Sequence, residues 1–284
     1  MTNKVVVPTR LLLNLSTLSL LLTFCITTPA QTNALPESSS AAAESDAAFD
    51  PVEFFKRHIF PYEPIYFIAG SEDPNAKFQF GFRYQIADTD SKWLNGFNFA
   101  YTQTSLWDLS SPSAPFYDSS YKPELLYAYE SVLGGAKTNW YRLDLQVGAQ
   151  HESNGKSGVD SRSLNIAYFR PTLMLGYPDS LHFTLQPRFW GYLGDLSDNP
   201  DIDQYRGYFD LRAMLTWKDL QLSAIGRMGK QGYRENTSAQ IDLTYRIPKT
   251  GIYLDLQYFT GYGESLLRYN ERTDIIRFGI ALYR

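Results

Sequence analysis

Hydrophobic and polar residues alternate with a period of two along much of the chain. In residues 77–86 every even position carries an aromatic or aliphatic side chain: Phe78, Phe80, Phe82, Tyr84 and Ile86. The odd positions between them are polar or glycine, and they include Lys77 and Arg83. Successive side chains of a β-strand point to opposite faces, so this segment predicts a strand with one apolar and one polar face.

The same alternation recurs about twelve times between Pro64 and Arg284, at roughly 18 residues for a strand and its connection. Charged residues such as Arg142 and Asp144 keep to the polar face in the middle of strands, while Tyr and Trp gather at strand ends. A soluble sandwich would bury its apolar face and expose its polar one. Aromatic strand ends are typical of outer-membrane proteins. The pattern therefore predicts an all-β fold, a twelve-stranded antiparallel transmembrane β-barrel.

A barrel of this size has a narrow lumen, since open porins need about 16 to 18 strands. The polar-face residues Arg83, Glu130, Arg142 and Asp144 can pair with one another and fill the interior. We therefore expect no wide channel, and the outer surface is the better place to look for function.

Composition and charge narrow the class of protein further. The 284 residues are 44% hydrophobic, 15% aromatic and 20% charged, which excludes a disordered or coiled-coil protein. A formal net charge of -4 gives no reason to expect a nucleic-acid partner. The single cysteine, Cys25, lies in an N-terminal apolar run, so the rest of the chain has no disulfide and no cysteine-based zinc site.

The N-terminus has the pattern of a secretory signal peptide. Lys4 and Arg10 precede an uncharged apolar run, and small residues that permit cleavage after Ala30 or Ala34 follow it. A membrane anchor is the weaker alternative, because the run is shorter than the about 20 residues that a spanning helix needs. The predicted divisions are a signal peptide over 1–30, an N-terminal periplasmic linker over 31–61 and the barrel over 62–284.

Three polar residues break the alternation on the predicted lipid-facing side. His151 and Ser153 continue the parity of an apolar strand face, and Asn165 shares the parity of the apolar residues in the next strand. Polar groups facing hydrocarbon are costly and call for a specific explanation. A His ring can reach a Ser hydroxyl two residues away, and Asn165 can orient that ring from across the hairpin. The pattern predicts a Ser-His-Asn acyl-transfer site facing lipid; the alternative is polar residues that merely reach the headgroup region.

Residues 150–157 (QHESNGKS) and 161–165 (SRSLN) resemble the signature of the outer-membrane phospholipase A family. Weaker matches to that family occur at 101–105, 115–124, 198–202 and 261–266. The resemblance extends over most of the chain from about Tyr62 onward. It implies a bacterial outer-membrane barrel that hydrolyses acyl esters of phospholipids, with A1, A2 and lysophospholipase activity. It also implies a calcium-dependent homodimer whose active site faces the cell exterior.

The resemblance also implies roles for individual residues. Ser153 would be the nucleophile, His151 the general base and then acid, and Asn165 the orienting residue. The backbone N–H of Gly155 would contribute to the oxyanion hole together with a calcium-bound water.

Calcium and dimer contacts are implied in the same way. The Lys156 carbonyl oxygen and a Ser161 oxygen would bind Ca2+, with Ser113 contributed by the partner subunit, and Gln103 would lie at the dimer interface. Asp198 belongs to a second calcium site of the family, at which this chain has Gly158 where an aspartate can stand.

Two other functions remain open at this point. One is a non-enzymatic outer-membrane transport or structural barrel, in which His151, Ser153 and Asn165 only decorate the rim. The other is a barrel enzyme that acts on the acyl chains of lipid A. A porin would place its distinctive polar residues on the lumenal face, whereas these three have the opposite parity.

Overall fold

The computed structural model describes residues 50–134 and 140–284. The predicted signal peptide, Cys25, both predicted cleavage points and most of the predicted linker lie outside the described residues. Within the described ranges, no helix is long and apolar enough to cross a bilayer.

The described chain is almost entirely β-structure. Its helices are α1 (Pro51–His58) and the short α2 (Ile202–Arg206), with single 3-10 turns at Leu94–Gly96 and Gly158–Asp160. The strands are β1 (Ile59–Pro61), β2 (Ile65–Ala69), β3 (Ala76–Gln85), β4 (Phe97–Trp107), β5 (Phe116–Gly134), β6 (Tyr141–Ser153), β7 (Ser163–Gly176), β8 (His182–Leu193), β9 (Phe209–Trp217), β10 (Leu220–Met228), β11 (Thr237–Arg246), β12 (Tyr253–Tyr262) and β13 (Arg272–Tyr283).

Strands β2 to β13 form a closed barrel in which each strand pairs antiparallel with its neighbours in the chain. Pairing of β13 with β2 closes it, so no barrel strand is left with an open edge. The short β1 continues the line of β2 along β3, pairing with Phe82 to Tyr84, while β2 pairs with Ala76 to Gln79. The prediction of a twelve-stranded antiparallel barrel is confirmed.

Helix α1 precedes the barrel and lies within the segment predicted as a linker. It begins after Asp50, whose carboxylate accepts hydrogen bonds from the N–H groups of Val52 and Glu53. At its other end, His58 Nδ1 lies 2.7 Å from the carbonyl oxygen of Gln85 on β3. Asp50 thus caps the first turn, and the His58 ring connects the last residue of the helix to β3. The domain boundary at residue 62 stays a prediction.

The barrel wall exposes apolar side chains on its outer face and buries charged ones on its inner face, the reverse of a soluble protein. Outward-facing Leu125 and Ile276 are 62% and 61% exposed, while the lumenal Arg277 is 1% exposed. A water-soluble domain rarely exposes a continuous apolar wall and buries its charges, whereas a membrane barrel does both. The described surface is therefore that of a barrel with hydrocarbon around it.

Charged residues fill the lumen as ion-pair clusters. Glu63 joins Arg170 and Arg212 at 2.7 and 2.9 Å, and Glu264 joins Arg277 and Lys77 at 2.5 and 3.4 Å. The pairing expected from the sequence is also present, with Arg142 bonded to Asp144 at 2.8 Å and close to Glu130, which Arg83 approaches as well. A cavity of about 570 Å³ remains between these clusters. The lumen is thus narrow and largely occupied, as the strand count predicts.

Six connections lie at one end of the barrel, which we call the loop end. Because neighbouring strands run antiparallel, alternate connections must share an end. The loop end consists of residues 70–75, 108–115, 154–162, 194–208, 229–236 and 263–271. There the lumenal side chains of β7 are apolar, and Leu164 and Ile166 pack with Ile202 and Leu266 from the connections. The core of this protein therefore lies inside the barrel, directly behind the hairpin formed by β6 and β7.

Candidate active site

The hairpin of β6 and β7 brings the predicted catalytic residues together at the loop end. His151 stands opposite Asn165 in the strand register, and Ser153 stands opposite Ser163. The alternate residues of β6, Gln150 and Glu152, are buried on the lumenal side, so His151 and Ser153 face outward. The outward orientation predicted for the three residues is therefore what the register produces.

A hydrogen bond joins the His151 ring to Asn165. His151 Nδ1 lies 2.9 Å from Asn165 Oδ1. An amide oxygen only accepts hydrogen bonds, so Nδ1 carries a proton, and in the neutral ring the lone pair is then on Nε2. The imidazole is thereby held in the tautomer that a general base requires.

The expected hydrogen bond between His151 and Ser153 is absent. Within residues 50–134 and 140–284, no atom accepts from or donates to the Ser153 hydroxyl. Side chains two residues apart project side by side from a strand, and the imidazole is turned toward Asn165 on the opposite strand. Catalytic hydrogen bonds are often loose before substrate binds. The hydroxyl is therefore free to bond Nε2 when substrate is present.

Gly155 is the second residue of the connection after Ser153, and its backbone conformation is one that other residues adopt only with strain. Its φ is +68°, and a Cβ built on it would lie 3.0 Å from Cε2 of Tyr121, the residue opposite Ser153 on β5. Its N–H meets no acceptor in the part of the chain that the structure describes. A free backbone donor two residues from Ser153, the predicted nucleophile, is available to stabilise an oxyanion.

Asn154 organises the connection between β6 and β7, and sequence analysis missed this role. Its side chain is 4% exposed. The amide oxygen accepts from the N–H groups of Lys156 and Arg162 at 3.2 and 3.0 Å, and the amide nitrogen donates to the carbonyl of Asp160 at 2.8 Å. Asn154 has lumenal parity inside the matched motif, and that parity is the signal from which its inward role could have been predicted.

The predicted calcium ligands lie in this same connection. Among the described residues, the Lys156 carbonyl oxygen and the Ser161 hydroxyl make no hydrogen bond. The Lys156 ammonium is held aside, donating to the Tyr117 carbonyl at 2.7 Å. Uncommitted carbonyl and hydroxyl oxygens suit a hard cation such as Ca2+. No cluster of three or more His, Cys, Asp or Glu that could hold a metal occurs in the described ranges, so a calcium site here would depend on neutral oxygens.

Ser113 also lies at the loop end, in the connection between β4 and β5. Ser113 and Ala114 have φ values of 66° and 39°, a left-handed conformation that is strained for residues with a side chain. Asp108 stabilises this connection, because its carboxylate accepts a 2.5 Å hydrogen bond from the Ser111 hydroxyl. The same hydrogen bond lowers the pKa of Asp108. Ser113 is thus presented by an ordered turn.

Asp198 is hydrogen-bonded to the hairpin of β6 and β7. Its Oδ2 accepts a 2.7 Å hydrogen bond from the Ser163 hydroxyl, and Ser163 stands opposite Ser153. Gly158, by contrast, has open space around it. A second calcium site that includes Asp198 remains a prediction.

Gln103 faces outward on β4, as its parity predicts. Its amide oxygen accepts from the Tyr101 hydroxyl at 3.0 Å, and its amide nitrogen donates to Ser105 at 3.1 Å. Ser105 is bonded in turn to Ser119 on β5 at 2.9 Å. A band of polar groups therefore crosses the outer wall of the barrel toward the hairpin of β6 and β7.

Comparison with known proteins identifies relatives of this chain. A family model described as Phospholipase A1 matches residues 60–282. Phospholipase A1 of Escherichia coli (strain K12) is 35% identical over 188 residues, which are 64% of this chain and 61% of that protein. Putative phospholipase A1 of Neisseria meningitidis serogroup B is 33% identical over 214 residues, 72% of this chain and 53% of that protein. The chain thus spans less than two thirds of the length of these curated relatives.

Two solved structures show the same barrel. Outer membrane phospholipase A from Escherichia coli matches with a TM-score of 0.69 and 28% identity, over 79% of this chain and 91% of that one. The calcium-bound dimer of Salmonella typhi outer membrane phospholipase matches with a TM-score of 0.67 and 28% identity, over 79% and 92%. Because the family model covers most of the chain and the fold agrees, the chain belongs to the phospholipase A1 family.

Proposed function

We propose that this protein is a calcium-dependent outer-membrane phospholipase that hydrolyses acyl esters of phospholipids at Ser153, His151 and Asn165. The observation that carries the proposal is the 2.9 Å hydrogen bond from His151 to Asn165 on the outward face of the barrel, beside Ser153. Three polar side chains that face hydrocarbon are costly, and polar residues in such places mark functional sites. Family membership supports the same activity.

The first half of the reaction forms an acyl-enzyme. Ser153 Oγ attacks the ester carbonyl carbon while His151 Nε2 takes the hydroxyl proton. The carbonyl oxygen becomes an oxyanion that accepts a hydrogen bond from the Gly155 N–H. The imidazolium then gives its proton to the departing alcohol, the lysophospholipid, as the ester bond breaks.

The second half regenerates the enzyme. A water molecule loses a proton to His151 Nε2 and attacks the acyl carbon. The tetrahedral intermediate collapses, Ser153 Oγ recovers the proton, and a fatty acid leaves. Throughout, Asn165 keeps the proton of His151 on Nδ1, so that Nε2 always faces the reacting groups. Because an amide carries no full charge, Asn165 orients the ring more than it stabilises the imidazolium.

A calcium ion fits the oxygens present beside this site. The Lys156 carbonyl and Ser161 would hold it, with Ser113 of the partner subunit completing the ligands in a homodimer. When bound, the ion supplies positive charge near the developing oxyanion. The calcium-bound dimer of the Salmonella typhi relative supports both parts of this proposal.

The barrel is proposed to span the bacterial outer membrane several times, with the loop end toward the cell exterior. Its substrates are then phospholipids of the outer leaflet, cleaved at either acyl ester, and their lysophospholipid products. The outward apolar wall and the outer-membrane origin named for the two structural relatives support this placement.

The deciding experiment is fatty-acid release from phospholipid in detergent micelles by the refolded full-length protein. Wild type and Ser153→Ala are compared with calcium and with chelator. We expect release that requires both calcium and Ser153. No release from a folded, calcium-loaded wild-type dimer would refute the proposal and favour a transport or structural barrel.

A further inference from the structure

Two connections at the loop end contact the hairpin of β6 and β7, which carries the proposed catalytic residues. We propose that residues 198–202 and 263–269, together with Asp118 and Asn154, form a clamp that positions the hairpin for catalysis. This inference rests on the proposed function, since it assigns positioning roles around the same site. Residues 198–202 and part of 263–269 matched family motifs, and among them only Asp198 received a role, in a predicted second calcium site.

The clamp holds the β6 side through a buried carboxylate. Asp118 of β5 is 2% exposed. Its Oδ2 accepts from the Ser265 hydroxyl and the Leu267 N–H, each at 2.8 Å, and its Oδ1 lies 3.4 Å from Nδ2 of Asn154. Asp118 therefore links connection 263–271 to the residue that follows the nucleophile.

Asn154 connects Asp118 to the groups predicted to stabilise the oxyanion and to bind calcium. Its amide oxygen binds the N–H groups of Lys156 and Arg162, so the two ends of connection 154–162 are held together. Gly155 lies between Asn154 and Lys156 in this closed turn. A shift of the Asn154 amide would move the Gly155 N–H and the Lys156 carbonyl together.

The clamp holds the β7 side through Ser163. The Ser163 hydroxyl donates to Asp198, and its carbonyl accepts a 2.5 Å hydrogen bond from Nδ2 of Asn199, which is 0% exposed. Ser163 stands opposite Ser153 in the hairpin register. The strand carrying Asn165 is therefore anchored two residues before the orienting amide.

The two connections are bonded to each other as well as to the hairpin. The Tyr269 hydroxyl donates to Asp201, and Ile202 packs in one apolar cluster with Leu266 behind β7. The contacts to β6 and the contacts to β7 thus belong to one packed unit. Each connection resists movement of the other.

A role in positioning explains why buried polar groups stand here. Burying a carboxylate is costly unless it is fully bonded, and an apolar residue of similar size would avoid that cost. A carboxylate that receives three donors, however, specifies one arrangement of the segments that it joins. Catalysis requires such precision, because misplacement by about 1 Å costs about 100-fold in rate.

The test exchanges donor and acceptor across the Asp118–Asn154 contact. In the wild type the two side-chain atoms lie 3.4 Å apart. In the Asp118→Asn variant two amide groups meet at this contact, and in the Asn154→Asp variant two carboxylates meet there. The double variant Asp118→Asn/Asn154→Asp restores one donor to one acceptor. Asp255→Asn serves as the matched control, since Asp255 is a buried lumenal carboxylate on β12 outside the clamp.

We expect each single variant to lower kcat by about 10- to 100-fold and to weaken calcium binding about 10-fold, as loss of an outer-shell partner does at other sites. KM should stay within about twofold, because no substrate contact is lost. Amide hydrogen exchange of residues 155–161 should accelerate. The double variant should recover at least part of each loss, and the control should match wild type.

Single variants that equal the control in kcat, calcium affinity and amide exchange would overturn the clamp. A wild type without calcium-dependent hydrolysis would refute the proposed function instead, and exchange of residues 155–161 would still decide on the clamp. If Asp118→Asn does not fold, Ser265→Ala removes one donor from the same carboxylate and is measured in the same way.

Discussion

At the scale of single residues, Asn165 and Asn154 have the same type of side chain but different roles. Asn165 uses its oxygen to hold the proton of His151 on Nδ1, on the outward face. Asn154, on the lumenal face, uses both ends of its amide to close a turn. The difference follows from strand parity, which sends neighbouring side chains to opposite sides of the wall.

Replacement of the orienting amide should slow the reaction without stopping it. Asn165→Ala is expected to lower kcat by about 100-fold, whereas His151→Ala removes the acid–base group and costs about 10⁴-fold. Steady-state kinetics in mixed micelles measure both effects. Each variant should retain the heat-modified gel mobility of the folded barrel; equal losses with altered mobility would indicate misfolding and contradict the assignment of roles.

At the scale of elements, the connection between β6 and β7 depends on two glycines in the left-handed region. Gly155 and Gly158 have φ values of 68° and 67°, so an alanine is strained at either position. Only Gly155 lies against another side chain, that of Tyr121, and only its N–H is assigned to the oxyanion. Substitutions at the two glycines can therefore distinguish the effect of backbone strain from the effect of the position next to the proposed active site.

Gly155→Ala should lower kcat by about 100-fold or more, because a displaced oxyanion donor costs about 10²- to 10³-fold. Gly158→Ala is the matched control, with the same strain and no contact within 4 Å, and it should retain most of the activity. Fatty-acid release by the two purified variants measures the difference. Similar losses in both would show that strain in the connection, and not the place of Gly155, limits the reaction.

At the scale of the whole molecule, the barrel places its working groups on the outside and its ion pairs on the inside. The lumen holds clusters such as Glu63 with Arg170 and Arg212, and a cavity of about 570 Å³ remains between the lumenal side chains. The polar band through Gln103 and Ser105 instead crosses the wall that faces hydrocarbon. A second copy of the chain could cover such a band and share its hydrogen bonds.

Gln103→Ala should weaken the proposed homodimer. Hydrogen bonds between membrane segments contribute about 1 kcal/mol each, and a twofold interface uses the residue twice, so the dimer Kd should rise about 10-fold or more. Sedimentation equilibrium in detergent measures the Kd. Leu222→Ala, on the outward face of β10, is the control and should leave the Kd unchanged; an equal Kd in the Gln103 variant would remove Gln103 from the interface.

Strand number, the direction of each side chain and the outward place of Ser153, His151 and Asn165 follow from the sequence alone. All three depend on a period of two that is visible residue by residue. The pairing of Arg142 with Glu130 and Asp144 is predictable on the same basis, since all share the lumenal face. The roles of Ser153, His151 and Asn165 rest on the motif as well as on parity.

Only the tertiary structure decided which distant residues meet at the loop end. Asp118 lies 147 positions from Ser265, and no periodicity relates the two. Their contact depends on how the connections fold over the mouth of the closed barrel, where Ile202 and Leu266 pack behind β7. The structure also shows the His151 ring bonded to Asn165 and not to Ser153. Local alternation specifies the wall of the barrel, whereas long-range packing in its mouth specifies the geometry of the site.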